Sequence, residues 1–220
     1  MKVGTDGVLL GAWAGRGVPK KILDIGAGTG LIALMLTQRF PDARITAIEP
    51  NSDALYDAEF NFRNSPFAER LKLVKTNIQD FKTEDRFDLI VSNPPFFTNS
   101  LVSENEGRTE ARHAHTLSPG DLAKATALLA ENGKIAVIYP TETYIAFSAA
   151  MRKIGFFEER RTEVKPTATK PFHRIMGVFG KSNQPTERAE LVIEKYGRHQ
   201  YSEEYVELTR DFYLFDDSKS

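Results

Sequence analysis

The residues best suited to chemistry in this chain form an Asn-Pro-Pro segment at 93–95, directly after an apolar run. Asn93 precedes a proline and is therefore biased toward an extended backbone. Pro94 and Pro95 fix their own φ angles, so the Pro94 carbonyl points in a set direction. The Asn93 side-chain oxygen and this carbonyl can accept both hydrogens of one –NH₂ group. Such acceptors expose the lone pair of an amine to a methyl group, by positioning and electrostatics alone.

Two aromatic residues, Phe96 and Phe97, continue this segment. Aromatic rings beside amine-binding groups can stack on a base that is rotated out of a nucleic acid. We therefore take Asn93, Pro94, Pro95 and Phe96 as candidate catalytic residues, and Phe97 as a candidate substrate contact. The alternative interpretation is a rigid loop whose phenylalanines belong to the core.

A second motif is the glycine-rich segment Leu-Asp-Ile-Gly-Ala-Gly-Thr-Gly at 23–30. Glycines between a strand and a helix let the backbone approach a ligand closely and leave helix N–H groups free. Dinucleotide sites use G-x-G-x-x-G, whereas here Gly26, Gly28 and Gly30 are followed by Leu31. This spacing favours a ligand without a pyrophosphate. The alternative is a tight turn with no ligand.

Polar residues at the ends of the predicted strands surround this turn. Asp24 can bond the amino group of a ligand, directly or through water, and Glu49 can accept both hydroxyls of a ribose. The amide of Asn77 can contact the edge of an adenine, with Ile78 against its face. Together the two motifs suggest an enzyme that carries a methyl group from S-adenosylmethionine to a nitrogen.

Apolar runs that alternate with helical patterns predict a parallel sheet covered by helices. The predicted strands are Lys21–Ile25, 45–48, 71–75, Phe87–Ser92, 134–139, 156–164 and Arg174–Gly180, with a further short strand at 189–195. The predicted helices are Leu31–Arg39, 52–64 with Ser52 as its cap, 119–131 ended by Asn132-Gly133, 141–154 and 202–210. The strands 156–164 and Arg174–Gly180 are expected to form an antiparallel pair at the edge of the sheet. We expect one domain, 1–220, with a frayed end at 216–220.

Composition narrows the possible function classes. The net charge is −1 and there is no cysteine, which excludes disulfides, thiolate nucleophiles and cysteine-rich zinc sites. No apolar window of about 18 residues exists, and no secretory signal is visible, so we expect a cytoplasmic protein without a membrane partner. No Ser/His/Asp or paired-carboxylate pattern favours a hydrolase.

The charge is unevenly distributed along the chain. Residues 150–185 contain eight Lys/Arg against three Glu, and residues 186–220 contain nine acids against five bases. A basic segment can be a footprint for phosphate, although solvated charges also cluster by chance. Candidate RNA contacts are Lys165, Lys170, His173 and Arg174, together with Arg112 in the long polar stretch 95–117. His113 and His115 form a poor metal site because no third ligand lies nearby in sequence.

The opening segment 1–13, Met-Lys-Val-Gly-Thr-Asp-Gly-Val-Leu-Leu-Gly-Ala-Trp, is the most specific of several motifs. With the glycine turn, 93–97 and 108–117, it resembles the bacterial tRNA (adenine-N6)-methyltransferase family. The best-known members of that family act on adenine 37 of a valine tRNA. The resemblance covers most of the chain. It implies a Rossmann-like class I methyltransferase fold of the α/β class, S-adenosylmethionine as cofactor and tRNA as partner.

Site roles follow from this resemblance residue by residue. It implies that Thr5 and Asp6 reach the methionine end of the cofactor, and that Asn93 and Pro94 hold the target amine. It implies that the rest of the cofactor is contacted by Asp24, Gly26, Gly28, Glu49 and Asn77, with Asn93 also beside it. The chain departs from the family in two ways: Asn77 stands where Asp is usual, and the family's segment before residue 2 is expected to be missing.

We therefore expect a seven-stranded mixed sheet with helices on both faces and an antiparallel C-terminal edge hairpin. We also expect a monomer without metal that methylates N6 of an adenine in tRNA. Two alternatives stay open. One keeps the chemistry but changes the substrate, to a protein glutamine N5 or a base amine of DNA or rRNA. The other is a non-catalytic protein that binds RNA or cofactor.

Overall fold

A mixed β-sheet with helices on both faces forms the centre of the molecule. The computed structural model describes residues 4–94 and 117–214, and within them the sheet has nine strands in the order β3-β2-β1-β4-β5-β7-β6-β8-β9. The strands are β1 (Lys21–Ile25), β2 (Arg44–Ile48), β3 (Leu71–Val74), β4 (Phe87–Ser92), β5 (Leu129–Pro140), β6 (Phe157–Thr167), β7 (Arg174–Gly180), β8 (Glu187–Gly197) and β9 (Gln200–Tyr201). Strands β1 to β5 pair in parallel, whereas β7 runs antiparallel to both of its neighbours.

Helices cover both faces of the sheet because both faces are apolar. The α-helices are α1 (Thr5–Trp13), α2 (Leu31–Arg39), α3 (Ser52–Arg63), α4 (Pro119–Lys124), α5 (Thr141–Lys153) and α6 (Glu203–Thr209). One core contains Leu9 of α1 and Leu36 of α2, and the core on the other face contains Leu122 and Phe147. None of the helices in the described ranges is long and apolar enough to cross a membrane.

The prediction of an α/β fold of this class is confirmed, but the count of seven strands and the edge position of the C-terminal hairpin are wrong. Strands β6 and β7 do pair antiparallel. They lie inside the sheet, however, because β8 pairs in parallel with β6 and β9 follows at the edge. The predicted short strand is really the 11-residue β8. Its many charged residues weaken the apolar alternation that identifies a strand.

Two local predictions about helix ends are also corrected. Asn51, rather than Ser52, caps α3, since its side chain accepts hydrogen bonds from the N–H groups of Asp53 and Ala54. The helix from Pro119 ends before 131, and Asn132-Gly133 lies within β5 at a register shift against β4. A Cβ on Gly133 would lie 2.6 Å from the Phe87 carbonyl oxygen, so the glycine permits this close approach of two strands.

Gly177 in β7 provides a test of the packing between the sheet and α5. A Cβ at this position would overlap the phenol of Tyr144, which is buried and hydrogen-bonded to Glu158. We expect Gly177→Ala to lower the free energy of unfolding by about 1–3 kcal/mol, because overpacking displaces a buried ring. Chemical denaturation monitored by circular dichroism measures this change.

Gly120→Ala is the matched control, because the nearest atom to its added Cβ is Ser118 Oγ at 3.8 Å. This helical position should leave the free energy of unfolding unchanged or raise it by up to about 1 kcal/mol. Equal effects of the two substitutions would contradict the packing described here.

Candidate functional site

The glycine turn after β1 is fixed to the neighbouring strand. The N–H groups of Gly26 and Ala27 both donate to the Ile48 carbonyl at the end of β2, at 2.9 and 3.1 Å. Gly26, Gly28 and Gly30 have φ angles of 71°, 57° and 80°, in the left-handed region that favours glycine. The turn therefore has a defined shape that depends on its glycines.

Glu49 connects this turn to the start of α3. Its Oε2 accepts a hydrogen bond from the Gly28 N–H at 2.9 Å, and its Oε1 accepts one from the Asn51 N–H at 2.8 Å. The residue is only 7% exposed. Each carboxylate oxygen keeps acceptor capacity, so Glu49 can also receive hydroxyl hydrogens from a ligand.

Asp24 lies beneath the turn and is fully buried. Its Oδ2 accepts a hydrogen bond from the Ala33 N–H in α2 at 3.1 Å, whereas its Oδ1 has no partner in the part of the chain that the structure describes. Burial raises the pKa of Asp24 to about 7; the Ala33 N–H opposes this shift, and the charge of Glu49 adds to it. The carboxyl group therefore titrates near neutral pH.

A cleft of about 750 Å³ opens at the carboxyl ends of the parallel strands, where open α/β sheets bind ligands. The predicted site residues that line it are Gly26, Gly28, Glu49, Asn77, Asn93 and Pro94, together with Ile78. Asp24 lies behind the cleft wall, and Thr5 and Asp6 lie outside the lining. The motifs from three separate parts of the sequence thus meet around one cavity.

Asn93 and Pro94 lie at the end of β4, directly beside the glycine turn. The Ser92 hydroxyl donates to the Ile25 carbonyl at 2.8 Å, which joins the ends of β4 and β1. Asn93 Oδ1 is buried and, within residues 4–94 and 117–214, has no hydrogen-bond partner. Buried polar atoms are normally satisfied, so this acceptor is available to a ligand donor in the cleft.

Asn77 has a different environment from the one predicted. It lines the cleft, but its Nδ2 donates to Asp80 Oδ2 at 2.8 Å and its Oδ1 accepts from the Asp80 N–H at 2.8 Å. The amide thus stabilises its own loop, and one Nδ2 hydrogen is left for other contacts. Its contact with an adenine stays a prediction.

Asp6 and Arg174 contact each other, although the sequence assigned them to different ligands. Arg174 Nε donates to Asp6 Oδ2 at 2.7 Å, and both side chains are 24% exposed. This ion pair joins α1 to the start of β7. A Cβ on Gly7, the next residue of α1, would lie 3.8 Å from Asn93 Nδ2, so α1 packs beside the Asn-Pro segment.

Of the other predicted RNA contacts, Lys165 lies in β6, whereas Lys170 and His173 lie on the β6–β7 connection. Lys165 forms an ion pair with Glu190 at 2.6 Å, and Lys170 is exposed. Burial lowers the pKa of His173, with the Arg174 charge acting in the same direction and Asp6 opposing it. Pro95, Phe96, Phe97, Arg112, His113 and His115 lie outside the described residues.

Several residues that line the cleft were missed by the sequence analysis. They are Gly4, Asn51, Asp53, Asp57, Thr76 and Leu117. Asp53 and Asp57 are one helical turn apart on α3, a spacing that places two carboxylates on one face and could have indicated them. Among the described residues, no group of three or more His, Asp or Glu side chains could hold a metal ion.

Comparison with known proteins identifies the family to which the chain belongs. The family model of the methyltransferase small domain matches residues 7–153. The tRNA1(Val) (adenine(37)-N6)-methyltransferase of Bacteroides thetaiotaomicron is 43% identical, and the alignment covers 97% of this chain and 91% of the relative. The protein of the same name from Trichodesmium erythraeum is 42% identical, with the same two coverages.

Solved structures agree on the fold. A protein of Agrobacterium tumefaciens, described as a predicted O-methyltransferase, superimposes with a TM-score of 0.73 at 17% identity, over 96% of this chain and 98% of that one. The plantazolicin methyltransferase in complex with SAH gives a TM-score of 0.54 at 12% identity, over 81% of this chain and 83% of that one. The matches in sequence, over nearly the whole chain, are the more specific. The chain therefore belongs to the methyltransferase small domain family and, within it, to the tRNA1(Val) (adenine(37)-N6)-methyltransferases.

Proposed function

We propose that this protein transfers a methyl group from S-adenosylmethionine to N6 of adenine 37 in tRNA1(Val). The name of its relatives supports the substrate and the target atom. The structural observation that carries the proposal is the buried Asn93 Oδ1 next to Pro94, at the wall of the cleft, which has no hydrogen-bond partner among the described residues. An acceptor in that state can receive a donor from a ligand in the cleft, and an exocyclic amine supplies one.

The cleft fits S-adenosylmethionine in its size and in the chemistry of its donors and acceptors. Glu49 can accept the ribose hydroxyls because its two oxygens each accept one backbone N–H, from Gly28 and from Asn51, and keep further acceptor capacity. Ile78 and Ile48 supply apolar surface for an adenine ring. Asp24 places a titrating carboxyl behind the turn, where its charge favours the ammonium group of the amino-acid portion.

S-adenosylmethionine supplies a methyl group that is activated by the positive charge on its sulfur. The role of the protein is to position and activate the nitrogen that receives this group. Asn93 Oδ1 and the Pro94 carbonyl accept the two N6 hydrogens, which favours a tetrahedral nitrogen with its lone pair directed away from the two acceptors. Formation of the C–N bond at N6 accompanies cleavage of the donor's S–CH3 bond, whose electron pair stays on the sulfur of the departing S-adenosylhomocysteine. The two acceptors stabilise the positive charge that develops on N6, which then releases one proton to solvent.

The same two acceptors would also hold the amide –NH₂ of a glutamine, so the substrate class needs a direct test. The test is the transfer of labelled methyl from S-adenosylmethionine to tRNA from a strain that lacks this protein, followed by nucleoside analysis. Label in N6-methyladenosine supports the proposal. Protein and DNA from the same strain are offered in parallel assays, and label in either of them with none in tRNA would contradict it.

Asn93→Ala should abolish transfer because it removes the acceptor that positions the amine. We expect the affinity for S-adenosylhomocysteine to stay within a few-fold of the wild type, since Glu49 and the glycine turn are unchanged. Single-turnover assays and calorimetric titration measure the two quantities. Asn183→Ala, on an exposed connection far from the cleft, is the matched control. Normal turnover in the Asn93 variant would exclude the mechanism.

Glu49→Ala should weaken the binding of S-adenosylhomocysteine by about 1.5–3 kcal/mol, as expected for hydrogen bonds to a charged group. Glu49→Gln keeps an oxygen acceptor and should lose less. Because Glu49 also accepts two backbone N–H groups, thermal unfolding of the free variants must be measured alongside. The exposed Glu69→Ala is the control. Unchanged affinity in Glu49→Ala would remove the ribose assignment.

Because the buried carboxyl group of Asp24 titrates near neutral pH, we expect cofactor binding to depend on pH. Only its ionised form attracts the ammonium group, and its pKa is about 7, so affinity for S-adenosylhomocysteine should fall as the pH drops below 7. The loss should approach about tenfold per pH unit well below that value. Asp24→Asn keeps an acceptor for the Ala33 N–H and should bind weakly, without this dependence. Parallel pH profiles for the two proteins would contradict the assignment.

A further inference from the structure

The sheet continues well beyond the part of the chain that the family model covers. That match ends at residue 153, whereas β6, β7, β8, β9 and α6 all follow it. We call strands β6–β9 and their connections the sheet extension. The extension continues the sheet from β5. Its strands alternate in direction along the chain, so some of its turns lie at the edge of the sheet where Asn93 lies.

The strand register shows which turns these are. Strand β5 ends at Pro140, beside Arg174 at the start of β7, and Arg174 lies beside Val164 near the end of β6. Strand β8 is parallel to β6, with Thr167 beside Glu194. The β6–β7 connection and the β8–β9 turn at 197–200 therefore lie at the same edge of the sheet as Asn93.

The spacing of strands gives the distances along this edge. Neighbouring strands lie about 4.8 Å apart, so the β6–β7 connection is roughly 10–14 Å from the end of β4. The β8–β9 turn is four to five strands from β4, or roughly 19–24 Å. In a stacked strand that rises about 3.4 Å per nucleotide, this second distance corresponds to about six nucleotides. A contact there reaches the paired stem of an RNA hairpin whose loop contains the target.

Charge at the β8–β9 turn fits such a contact. Arg198 is exposed, and among the described residues its guanidinium has no hydrogen-bond or ion-pair partner. Two carboxylates close to the turn in sequence have partners in the protein: Glu194 accepts the His199 N–H at 2.8 Å, and Glu203 pairs with Lys195 at 3.1 Å. The first of these bonds fixes the turn in which His199 has a φ of 63°. Arg198 is thus exposed to solvent on a turn whose backbone is fixed by this hydrogen bond.

We propose that the β8–β9 turn, through Arg198, contacts phosphates in the stem of the tRNA whose target adenine is held at Asn93. Lys170 on the β6–β7 connection contacts the same RNA closer to the target. This inference rests on the proposed function and adds a second contact surface to it. Arg198 acts on RNA affinity and has no part in the methyl transfer itself.

The test compares Arg198→Glu with Lys181→Glu. Lys181 is also exposed and without an ion pair among the described residues, but it follows β7 at the opposite edge of the sheet. With an unmodified tRNA1(Val) transcript, we expect Arg198→Glu to raise KM by about tenfold or more and to leave kcat and S-adenosylhomocysteine affinity unchanged. Lys181→Glu should behave as the wild type.

Two further measurements identify the contact as one with stem phosphate. In Arg198→Ala, the slope of log K for tRNA binding against log salt should be smaller than that of the wild type by about 1. With a short RNA that holds the loop but no paired stem, Arg198→Glu and wild type should have equal KM values.

The outcomes separate this inference from the proposed function. If the wild type methylates tRNA and Arg198→Glu has the same KM as Lys181→Glu, the inference is overturned and the function stands. If Arg198→Glu is equally impaired on the stemless RNA, the stem contact is overturned. If the wild type transfers no methyl to tRNA, the proposed function fails and the inference fails with it.

Discussion

The parallel pairing of β1 with β4 is the constraint on which the site depends. Because the two strands are in register to their last residues, with Ile25 beside Ser92, the glycine turn and the Asn-Pro segment emerge side by side. The hydrogen bond from Ser92 Oγ to the Ile25 carbonyl closes this junction inside the core. In the proposed function, a methyl donor bound at the first motif and an amine bound at the second would thereby lie within reach of each other.

Electrostatics impose a second constraint, since two carboxylates lie near the turn in a buried environment. Glu49 accepts two backbone N–H groups, and these bonds fix its oxygens before any ligand arrives. Asp24 accepts one such bond, its other oxygen has no partner among the described residues, and burial raises its pKa. The same region therefore contains one fixed acceptor and one group whose charge responds to its surroundings. Buried groups with perturbed pKa values are common at functional sites for this reason.

The motifs carried by local sequence were predictable, and the contacts made at long range were not. Glycine spacing, apolar strands and an Asn-Pro-Pro segment are local patterns, so the parallel half of the sheet and part of the cleft lining followed from them. The Asp6–Arg174 ion pair joins residues 168 positions apart, and no local pattern indicates it. Strand β8 escaped full prediction because its charged residues obscure the period of two, and Asn77 was assigned to a ligand although Asp80 engages its amide.

The Asp6–Arg174 ion pair has a thermodynamic consequence. It joins α1, which packs beside Asn93, to the start of β7, at the edge of the sheet where we propose that RNA binds. A ligand that draws Arg174 away from Asp6 alters the support of the cleft wall, and a ligand that steadies this wall favours the paired state of Arg174. Linkage requires the two effects on affinity to be equal. The ion pair is thus a physical route by which the two substrates of a bisubstrate enzyme can influence each other's binding.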